Sequence, residues 1–202
     1  MYLPESFVTN DRNKIVSFIK QHSLADLVTV NNGALSSNKV PLYFDEKSRA
    51  LYGHFSKQNP QLIDLELDNE VLVIFSGAQA YVSPRDYRSK DMVPTWNFQT
   101  LQVRGRVSIS NEKELITTLD KLSQYQEKDS TNPWSMTELN NEKLQKMLEV
   151  IVGYKIEIQD VKFKEKMSQN REVKDQQSII TALSNKDSQD EKNVSEIMRE
   201  IL

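Results

Sequence analysis

The chain has 202 residues, no cysteine, two histidines, five glycines and a formal net charge of −3. Without cysteine there are no disulfides, thiolate nucleophiles or Cys-based zinc sites, and two histidines are too few for a three-histidine metal centre. The glycines stand singly, so neither GxGxxG nor GxxxxGK[ST] occurs and any phosphate must be held mainly by side chains. The mild negative charge disfavours nucleic acid except at a local basic patch.

Hydrophobic residues make up 38% of the chain. Soluble domains usually contain about 45–50%, although that reference also counts glycine. We therefore expect a core completed at an oligomer interface, or a polar tail. The N-terminal residues lack a basic region followed by an apolar one, and no apolar run reaches the length of a membrane span, so we expect a cytoplasmic protein.

The first half of the chain begins with one amphipathic helix and continues with short strands. Ile15, Phe18 and Ile19 recur at helical spacing after capping side chains, which predicts a helix over residues 11–22. Runs rich in β-branched residues predict antiparallel strands, with a turn at 31–33 and a short helix at 56–65. The predicted strands are 24–30, 39–44, 49–55 and a tight pair, 71–76 and 78–83, on either side of Gly77.

The second half contains more helix. In chain order, the patterns predict a strand at 95–110, a helix from Asn111, a helix from Thr137, a strand at 150–161, and two C-terminal helices joined by a polar link at 184–193. Many short strands with few helices favour an antiparallel barrel over an alternating β-α fold. The sequence therefore predicts a mainly β fold with flanking helices.

One segment carries the outline of an anion site. His54, Ser56, Lys57 and Asn59 lie between a predicted strand and a predicted helix, where free backbone N–H groups also face outward. A lysine and hydroxyl groups can hold a phosphate through charge-assisted hydrogen bonds. The alternative is a solvated strand-to-helix turn with a chance lysine.

Two further segments are basic. Residues 83–97 interleave basic and aromatic side chains, which suits stacking of a flat heterocycle or of single-stranded nucleic acid; the alternative is a surface loop ending in a buried Trp. Residues 161–174 contain five basic and two acidic side chains, which favours an anion or a partner surface, or else a solvated face. Hydrolase chemistry has little support, because no GxSxG elbow occurs.

Eight sequence blocks, taken in order, carry a family resemblance. They are MYLPESF, GHFSKQNP, VIFSGAQAYVSP, VPTWNF, QVRGRV, NPWSM, IVGYKIEI and KMSQNR. Together they resemble the PaiB family of FMN-binding negative transcriptional regulators. The resemblance covers residues 1–171 and implies an antiparallel, FMN-binding split β-barrel domain of the flavin-reductase-like kind, homodimeric with flavin at the subunit interface. Residues 172–202 then form a C-terminal helical extension.

The resemblance also implies where the cofactor binds. By similarity to the wider pyridoxamine-phosphate-oxidase-like group, residues after the third strand hold the phosphate or ribityl chain. The second strand and the VPTWN block lie near the ring, and the late KMSQNR element reaches flavin or substrate across the dimer. The implied FMN-binding residues are Asn38, Lys39, Val40, Pro41, His54, Ser56, Lys57, Asn59, Pro94, Thr95, Trp96, Asn97, Lys166, Ser168, Asn170 and Arg171. No catalytic or metal-binding residue is implied.

The chain departs from the family pattern at two of these positions. Lys39 stands where the family usually has His, and Lys57 where it has Arg. Lysine keeps the positive charge but loses the bidentate fork of arginine, which predicts weaker phosphate binding.

The resemblance implies a negative transcriptional regulator that acts through a flavin-bound dimer. Direct DNA binding is disfavoured by the net negative charge of the chain and by the lack of a clear helix-turn-helix pattern. One alternative is an FMN-dependent oxidoreductase of a small anionic ligand, in which the protein supplies position and electrostatics. Another is a dimeric interaction module that has lost its flavin.

Overall fold

Strands and helices follow one another in an order close to the predicted one. The structure is a computed structural model and describes residues 1–67 and 70–202. Its elements are α1 (Arg12–Gln21), β1 (Leu24–Asn31), β2 (Ala34–Pro41), β3 (Tyr43–Asp45), β4 (Ala50–Ser56), α2 (Gln61–Leu67), β5 (Glu70–Val82), β6 (Thr95–Ile109), α3 (Glu112–Gln126), α4 (Asn141–Val150), β7 (Ile151–Lys166), α5 (Val173–Ser184) and α6 (Gln189–Ile201), with short 3₁₀ turns at Glu5–Phe7, Pro84–Asp86 and Met136–Glu138.

The seven strands form one sheet in the order β2-β1-β5-β6-β7-β4-β3. β1 and β2 form an antiparallel hairpin whose register runs from Leu24 opposite Pro41 to Asn31 opposite Ala34. Its turn contains Asn32 at φ 49° and Gly33 at φ 81°. Positive φ at both central residues is the geometry that matches the twist of a two-residue hairpin. The turn predicted at 31–33 is therefore confirmed.

The chain divides into two compact units. Unit 1 comprises Met1–Phe18, Ser76–Leu101 and Lys162–Leu202, and unit 2 comprises Ile19–Phe75 and Gln102–Val161. β5, β6 and β7 each contribute residues to both units. The side chains discussed below are described within the unit to which they belong.

The core of unit 1 joins β5 to the two C-terminal helices. Its buried cluster includes Ala80 of β5, Leu183 of α5 and Met198 of α6. Asp175 at the start of α5 is 2% exposed. Its Oδ1 accepts hydrogen bonds from the backbone N–H groups of Arg88 and Ser89, each at 2.9 Å. These two bonds lower the pKa of Asp175, and the bond from Ser89 has the larger effect. The helical extension is thus tied to the loop that follows β5.

Unit 2 packs α3 and α4 against its strands. Leu115 and Leu119 of α3 and Leu148 of α4 form one buried cluster. Close backbone approach occurs at Gly105 in β6, where a Cβ atom would lie 2.5 Å from the carbonyl oxygen of Glu157. Glycine is the residue that allows such an approach. The sheet therefore depends on the missing side chain at this position.

Several predicted elements are confirmed within a residue or two. The helix predicted at 11–22 is α1, the strands predicted at 24–30 and 49–55 are β1 and β4, and the strand predicted at 95–110 is β6. The helix from Asn111 is α3, and Asn111 and Glu114 form the predicted reciprocal cap.

The strand pair predicted around Gly77 is wrong, because β5 runs without interruption through this residue. A Cβ atom at Gly77 would lie 2.7 Å from Cε2 of Phe18. Glycine therefore makes room for an aromatic ring here and does not form a turn. The pattern alone could not distinguish these two uses of glycine.

Five other boundaries differ from the predictions. The strand predicted at 150–161 is β7, which continues to Lys166. The strand predicted at 39–44 is replaced by β2, which begins at Ala34, and the short β3; six residues of β2 are exposed, so it lacks an apolar alternation. The short helix begins at Gln61 and not at residue 56. The helix expected from Thr137 begins after the Asn140 cap, and the link between the last two helices is shorter, at 185–188.

Candidate functional site

The predicted cofactor residues fall into two groups, one in each unit. In unit 2, the first group lies at the end of β2, at the end of β4 and in the turn before α2; in unit 1, the second lies at the start of β6 and just after β7. The first group contains Asn38, Lys39, Val40, Pro41, His54, Ser56, Lys57 and Asn59, and the second contains Pro94, Thr95, Trp96, Asn97, Lys166, Ser168, Asn170 and Arg171.

An amide network joins the end of β2 to α2 in the first group. Asn38 Nδ2 donates to Gln61 Oε1 at 2.9 Å. Gln61 is 2% exposed, and its Nε2 donates to the carbonyl of Leu27 at 2.9 Å and to Thr29 Oγ1 at 3.0 Å. Because buried amides are costly when unpaired, this network holds Asn38 in one orientation.

Lys39 is paired within the protein. Its Nζ lies 2.8 Å from Asp26 Oδ2, and the two residues are opposite each other in the hairpin. The Lys39 side chain is 57% exposed, so the pair is screened by solvent and is worth little, about 0–1 kcal/mol. A ligand can displace it at small cost. Val40 is buried and Pro41 half-buried, so both contribute backbone shape more than side-chain chemistry.

The end of β4 presents unused donors. Ser56 Oγ accepts a hydrogen bond from Gln58 N at 3.2 Å, which leaves its own O–H free to donate. The backbone N–H of Lys57 donates to Val150 O at 2.9 Å, while its ammonium group is exposed and makes no ion pair or hydrogen bond to any described residue. Asn59 Oδ1 accepts from Gln61 N at 3.0 Å, leaving its amide N–H₂ available. A hydroxyl, an ammonium and an amide together match the needs of a phosphate.

The backbone around these donors differs from the expected arrangement. Ser56 is the last residue of β4 and Lys57 lies in the turn that follows it, whereas α2 begins only at Gln61, so neither residue belongs to the first turn of the helix. Any anion here is bound by side chains, as the lack of a glycine-rich loop predicts.

His54 contributes no charge. It lies in β4, half-buried, and its Nδ1 is buried without a hydrogen-bond partner among residues 1–67 and 70–202. Burial lowers the pKa of His54 below its usual value, because the charged imidazolium loses hydration. The imidazole is therefore neutral at pH 7.

The second group holds a lysine against the backbone of an exposed tryptophan. Lys166 Nζ donates to Thr95 Oγ1 and to the carbonyl oxygen of Trp96. Burial lowers the pKa of Lys166, and the nearby charges of Lys164 and Arg171 lower it further. Trp96 is 53% exposed, and its ring meets that of Tyr81 edge-on at 5.8 Å. The cation of Lys166 is thus held at the backbone carbonyl of a residue whose indole is open to solvent.

Asn97 and Ser168 bond to each other in the interior of unit 1. Ser168 Oγ donates to Asn97 Oδ1 at 2.9 Å, and the two residues are 3% and 0% exposed, respectively. Ser168 has φ 61°, a left-handed conformation that few non-glycine residues adopt. Such a conformation persists only where its surroundings fix it, and it is common at ligand sites. The buried bond to Asn97 is one of the contacts that fix it.

The remaining members of the second group lie nearer the surface. Pro94 and Asn170 are exposed, and Arg171 is half-buried. The guanidinium carbon of Arg171 lies 5.9 Å from the ring centroid of Tyr87, within the range of a cation–π contact.

Sequence reasoning missed three partners of these residues. Asp26 was not expected to pair with Lys39, nor Gln61 to bind Asn38, nor Tyr81 to meet Trp96. A signal existed for Tyr81, because buried and exposed residues alternate from Ala78 to Val82 and this alternation places Tyr81 on the outer face. No local pattern pointed to Gln61, since its contacts are made by strands far away in sequence.

Two classes of site find no support in the part of the chain that the structure describes. No group of three or more His, Cys, Asp or Glu side chains there is arranged to hold a metal ion. No helix within residues 1–67 and 70–202 is long and apolar enough to cross a membrane.

Comparison with known proteins decides the family. The family described as "Putative FMN-binding domain" matches residues 1–160. The Bacillus subtilis (strain 168) protein named "Protease synthase and sporulation protein PAI 2" is 34% identical over 204 residues, which covers 100% of this chain and 98% of that protein. This chain belongs to the PaiB family. The family implied by the eight sequence blocks is thereby confirmed.

Solved structures confirm the fold expected of a PaiB family member. A "putative 5-nitroimidazole antibiotic resistance protein" from Bacteroides thetaiotaomicron aligns with a TM-score of 0.60 at 16% identity, covering 78% of this chain and 85% of that one. An "FAD and Heme binding protein" from Mycobacterium smegmatis aligns with a TM-score of 0.56 at 12% identity, covering 78% and 72%. The mainly β, antiparallel split-barrel fold is therefore confirmed.

The neutral state of His54 predicts a pH-dependent stability. The pKa of His54 is lowered in the folded protein, whereas that of an unfolded histidine is about 6.5, so the unfolded chain binds the proton more readily. The stability contributed by His54 is then present in full above about pH 6.5 and is lost as the pH falls through the folded pKa. Urea unfolding from pH 7.5 to 5 is expected to show a steeper loss for wild type than for His54→Gln. An NMR titration placing the folded pKa of His54 at or above 6.5 would contradict this.

Proposed function

We propose that this chain binds FMN non-covalently as a homodimer, and that the flavin-loaded dimer acts in the cytoplasm as a negative regulator of transcription. The observation that carries the proposal is the set of free donors at the end of β4, in a chain that belongs to an FMN-binding-domain family. Each part of the proposal has its own support.

The donors of unit 2 fit the phosphate of FMN. Lys57 supplies a positive charge with no internal partner, and Ser56 supplies a free hydroxyl beside it. Charge-assisted hydrogen bonds contribute about 1.5–3 kcal/mol each, and less where solvent screens them. Lysine holds the phosphate as a point charge, without the bidentate fork of arginine. Asn59 adds a neutral donor at the same turn.

The second group fits the flavin ring. The exposed indole of Trp96 and the ring of Tyr81 offer an aromatic surface, and the ammonium group of Lys166 is held at the backbone carbonyl of Trp96. When bound, FMN would supply hydride and one-electron chemistry, and Lys166 would supply the positive charge that tunes it. Because Lys166 is anchored by Thr95 and Trp96, its charge is held in a fixed position.

The exposed hairpin of unit 2 supports a homodimer. Residues 34–39 of β2 are exposed at every position, and Leu35 is 74% exposed. Val30 and Ile63 in the same unit are 40% and 55% exposed. An exposed edge strand with apolar side chains is a liability that proteins usually cover. A second copy of the chain is the cover that we propose, and it also accounts for the low hydrophobic fraction.

The proposed regulatory role follows from family membership. The net charge of the chain bears on whether regulation involves direct DNA contact. With a formal charge of −3, the chain repels the phosphate backbone of DNA outside a local basic patch. We therefore propose that regulation operates through the redox state of the flavin or through a partner protein. A measurable affinity for DNA at low salt with a steep salt dependence would contradict this route.

The phosphate assignment predicts a selective effect of Lys57. Lys57→Gln is expected to raise the Kd for FMN about tenfold, because one charged contact is removed. It is expected to leave the Kd for riboflavin, which lacks the phosphate, unchanged; Lys57→Arg is expected to bind FMN at least as tightly as wild type. Fluorescence titration of flavin measures each of these dissociation constants. Lys47→Gln, at an exposed turn of the same unit, is the matched control. Equal losses for FMN and riboflavin, or none, would refute the assignment.

The proposed interface predicts complementation between two variants. If one flavin is bound by Lys57 of one subunit and Lys166 of the other, a heterodimer of Lys57→Gln and Lys166→Gln contains one intact site and one doubly altered site. At an FMN concentration that leaves both parent homodimers empty, the heterodimer is expected to reach about half the occupancy of wild type. Tagged co-expression and absorbance measure this ratio. If the heterodimer binds no more FMN than the parent homodimers, the two lysines either contact the same flavin from one subunit or do not contact flavin at all, and the proposed interface is wrong.

The regulatory role predicts a cofactor-dependent change in transcription. Deletion of the gene and the Lys57→Gln substitution are expected to raise the same set of transcripts, whereas Lys47→Gln is expected to raise none. RNA sequencing of the three strains makes the comparison. Repression that is equally strong without flavin would contradict the proposal. Turnover of NAD(P)H with reoxidation by a small anionic substrate, and no transcript change, would support the oxidoreductase alternative.

A further inference from the structure

A cavity in unit 2 lies apart from every predicted cofactor residue. It has a volume of about 300 Å³ and opens between the β3–β4 hairpin and the N-terminal half of α3. Its walls include Tyr43 and Tyr52 of the hairpin and Lys113, Thr117 and Lys121 of the helix. This volume is at the lower end of the range for small-molecule sites, so the cavity suits a ligand smaller than a nucleotide.

The two walls follow from the local sequence pattern. Tyr43 and Tyr52 are opposite each other in the antiparallel register of β3 and β4, and their ring centroids lie 6.5 Å apart at an interplanar angle of 38°. Lys113, Thr117 and Lys121 are spaced by four residues, which places all three on one face of α3. The cavity therefore has an aromatic wall and a basic rim.

Two carboxylates, those of Asp45 and Glu114, also line the cavity, and both already accept hydrogen bonds from the protein. Asp45 Oδ2 accepts hydrogen bonds from the backbone N–H and the hydroxyl of Ser48, at 2.9 and 2.6 Å. Glu114 Oε2 accepts from Asn111 N at 3.0 Å, where it caps α3. These oxygens stabilise a turn and a helix end, so they are poorly placed to serve a bound cation.

The lysines, by contrast, lack charged partners. Lys121 Nζ donates only to the neutral amide oxygen of Gln124, at 3.2 Å, and the ammonium group of Lys113 makes no hydrogen bond or ion pair to any described residue. The hydroxyls of Thr117 and Thr118 donate to backbone carbonyls of α3, each at 2.9 Å. A sugar would therefore find few free hydroxyl partners, whereas an anion would find two ammonium groups.

We propose that this cavity binds a small aromatic carboxylate, with its planar ring against Tyr43 and Tyr52 and its carboxylate on Lys113 and Lys121. Aromatic rings favour offset or edge-to-face packing over a face-to-face stack, as the tilted pair of Tyr43 and Tyr52 illustrates. An ammonium–carboxylate pair is stronger than a neutral hydrogen bond. The site is independent of the flavin, because none of the predicted FMN-binding residues lines it. The proposed ligand therefore binds at a site separate from that of the cofactor.

Calorimetry with indole-3-carboxylate as the probe tests the proposal, with the full chain saturated in FMN. One probe per chain is expected to bind. Indole-3-carboxamide, which has the same shape without the charge, is expected to bind about tenfold more weakly. Added salt is expected to weaken binding of the carboxylate and not of the amide.

Variants separate the basic rim from the aromatic wall. Lys113→Gln with Lys121→Gln is expected to raise the Kd of the carboxylate about tenfold and leave that of the amide unchanged. Tyr52→Leu is expected to weaken both probes. Because Tyr52 is half-buried, Thr117→Trp serves as a second variant that fills the cavity from an exposed helix position and is expected to abolish binding of both. Lys143→Gln, on the exposed surface of α4, is the control and is expected to change nothing.

Three results would overturn the inference. They are the absence of saturable binding at millimolar probe, binding that is equal in wild type and in the Thr117→Trp variant, and displacement of the probe by excess FMN. The last result would assign the cavity to the flavin itself. Failure of the chain to bind FMN would leave the probe experiment valid on the flavin-free protein, so this inference and the proposed function can fail separately.

Discussion

The antiparallel ladder between β4 and β7 is the constraint on which the first group of site residues depends. It pairs Ala50 with Glu157 at one end and Ser56 with Ile151 at the other, across about half the length of the chain. Glycine in β4 leaves room for a core aromatic side chain, because a Cβ atom at Gly53 would lie 2.5 Å from the Tyr154 hydroxyl; at Gly153 in β7 a Cβ atom would fit more tightly than usual, 3.1 Å from Leu115. Where the ladder ends, the chain turns and exposes donors that no strand uses. The position of the proposed phosphate site is thus a consequence of strand pairing.

Desolvation assigns different roles to groups that look alike in the sequence. Lys57 is exposed and unpaired, whereas Lys166 is anchored by an oxygen of each of two neighbours and loses hydration, which lowers its pKa. The first is suited to meeting a mobile anion from solvent, and the second to holding a fixed charge beside a ring. His54 belongs to the same GHFSKQNP block as Lys57, yet burial keeps the His54 imidazole neutral. The number of basic residues in a segment therefore says little about how many of them act as cations.

Order and type of most elements could be predicted from the sequence, because apolar periodicity and capping side chains are local signals. β2 was placed too late because its exposed, polar residues carry no alternation, and Gly77 was interpreted as a turn because close packing and chain reversal both select glycine. The candidate site residues followed from the family resemblance, but their contacts did not. The bond between Asn97 and Ser168 joins residues far apart in the chain, and the link between Asn38 and Gln61 needs the fold of β1 and β2 as well.

The two departures that the family resemblance implies, at Lys39 and Lys57, differ in their electrostatic consequences. Replacing the usual histidine by Lys39 adds a charge, but Asp26 lies opposite it in the hairpin at 2.8 Å and offsets that charge. Replacing the usual arginine by Lys57 keeps a charge that nothing in the described chain neutralises, while removing the planar fork. The field at the end of β2 is therefore little changed, and the altered chemistry is concentrated at the end of β4. For this pair of substitutions we expect weaker binding of the phosphate group and unchanged contacts with the flavin ring.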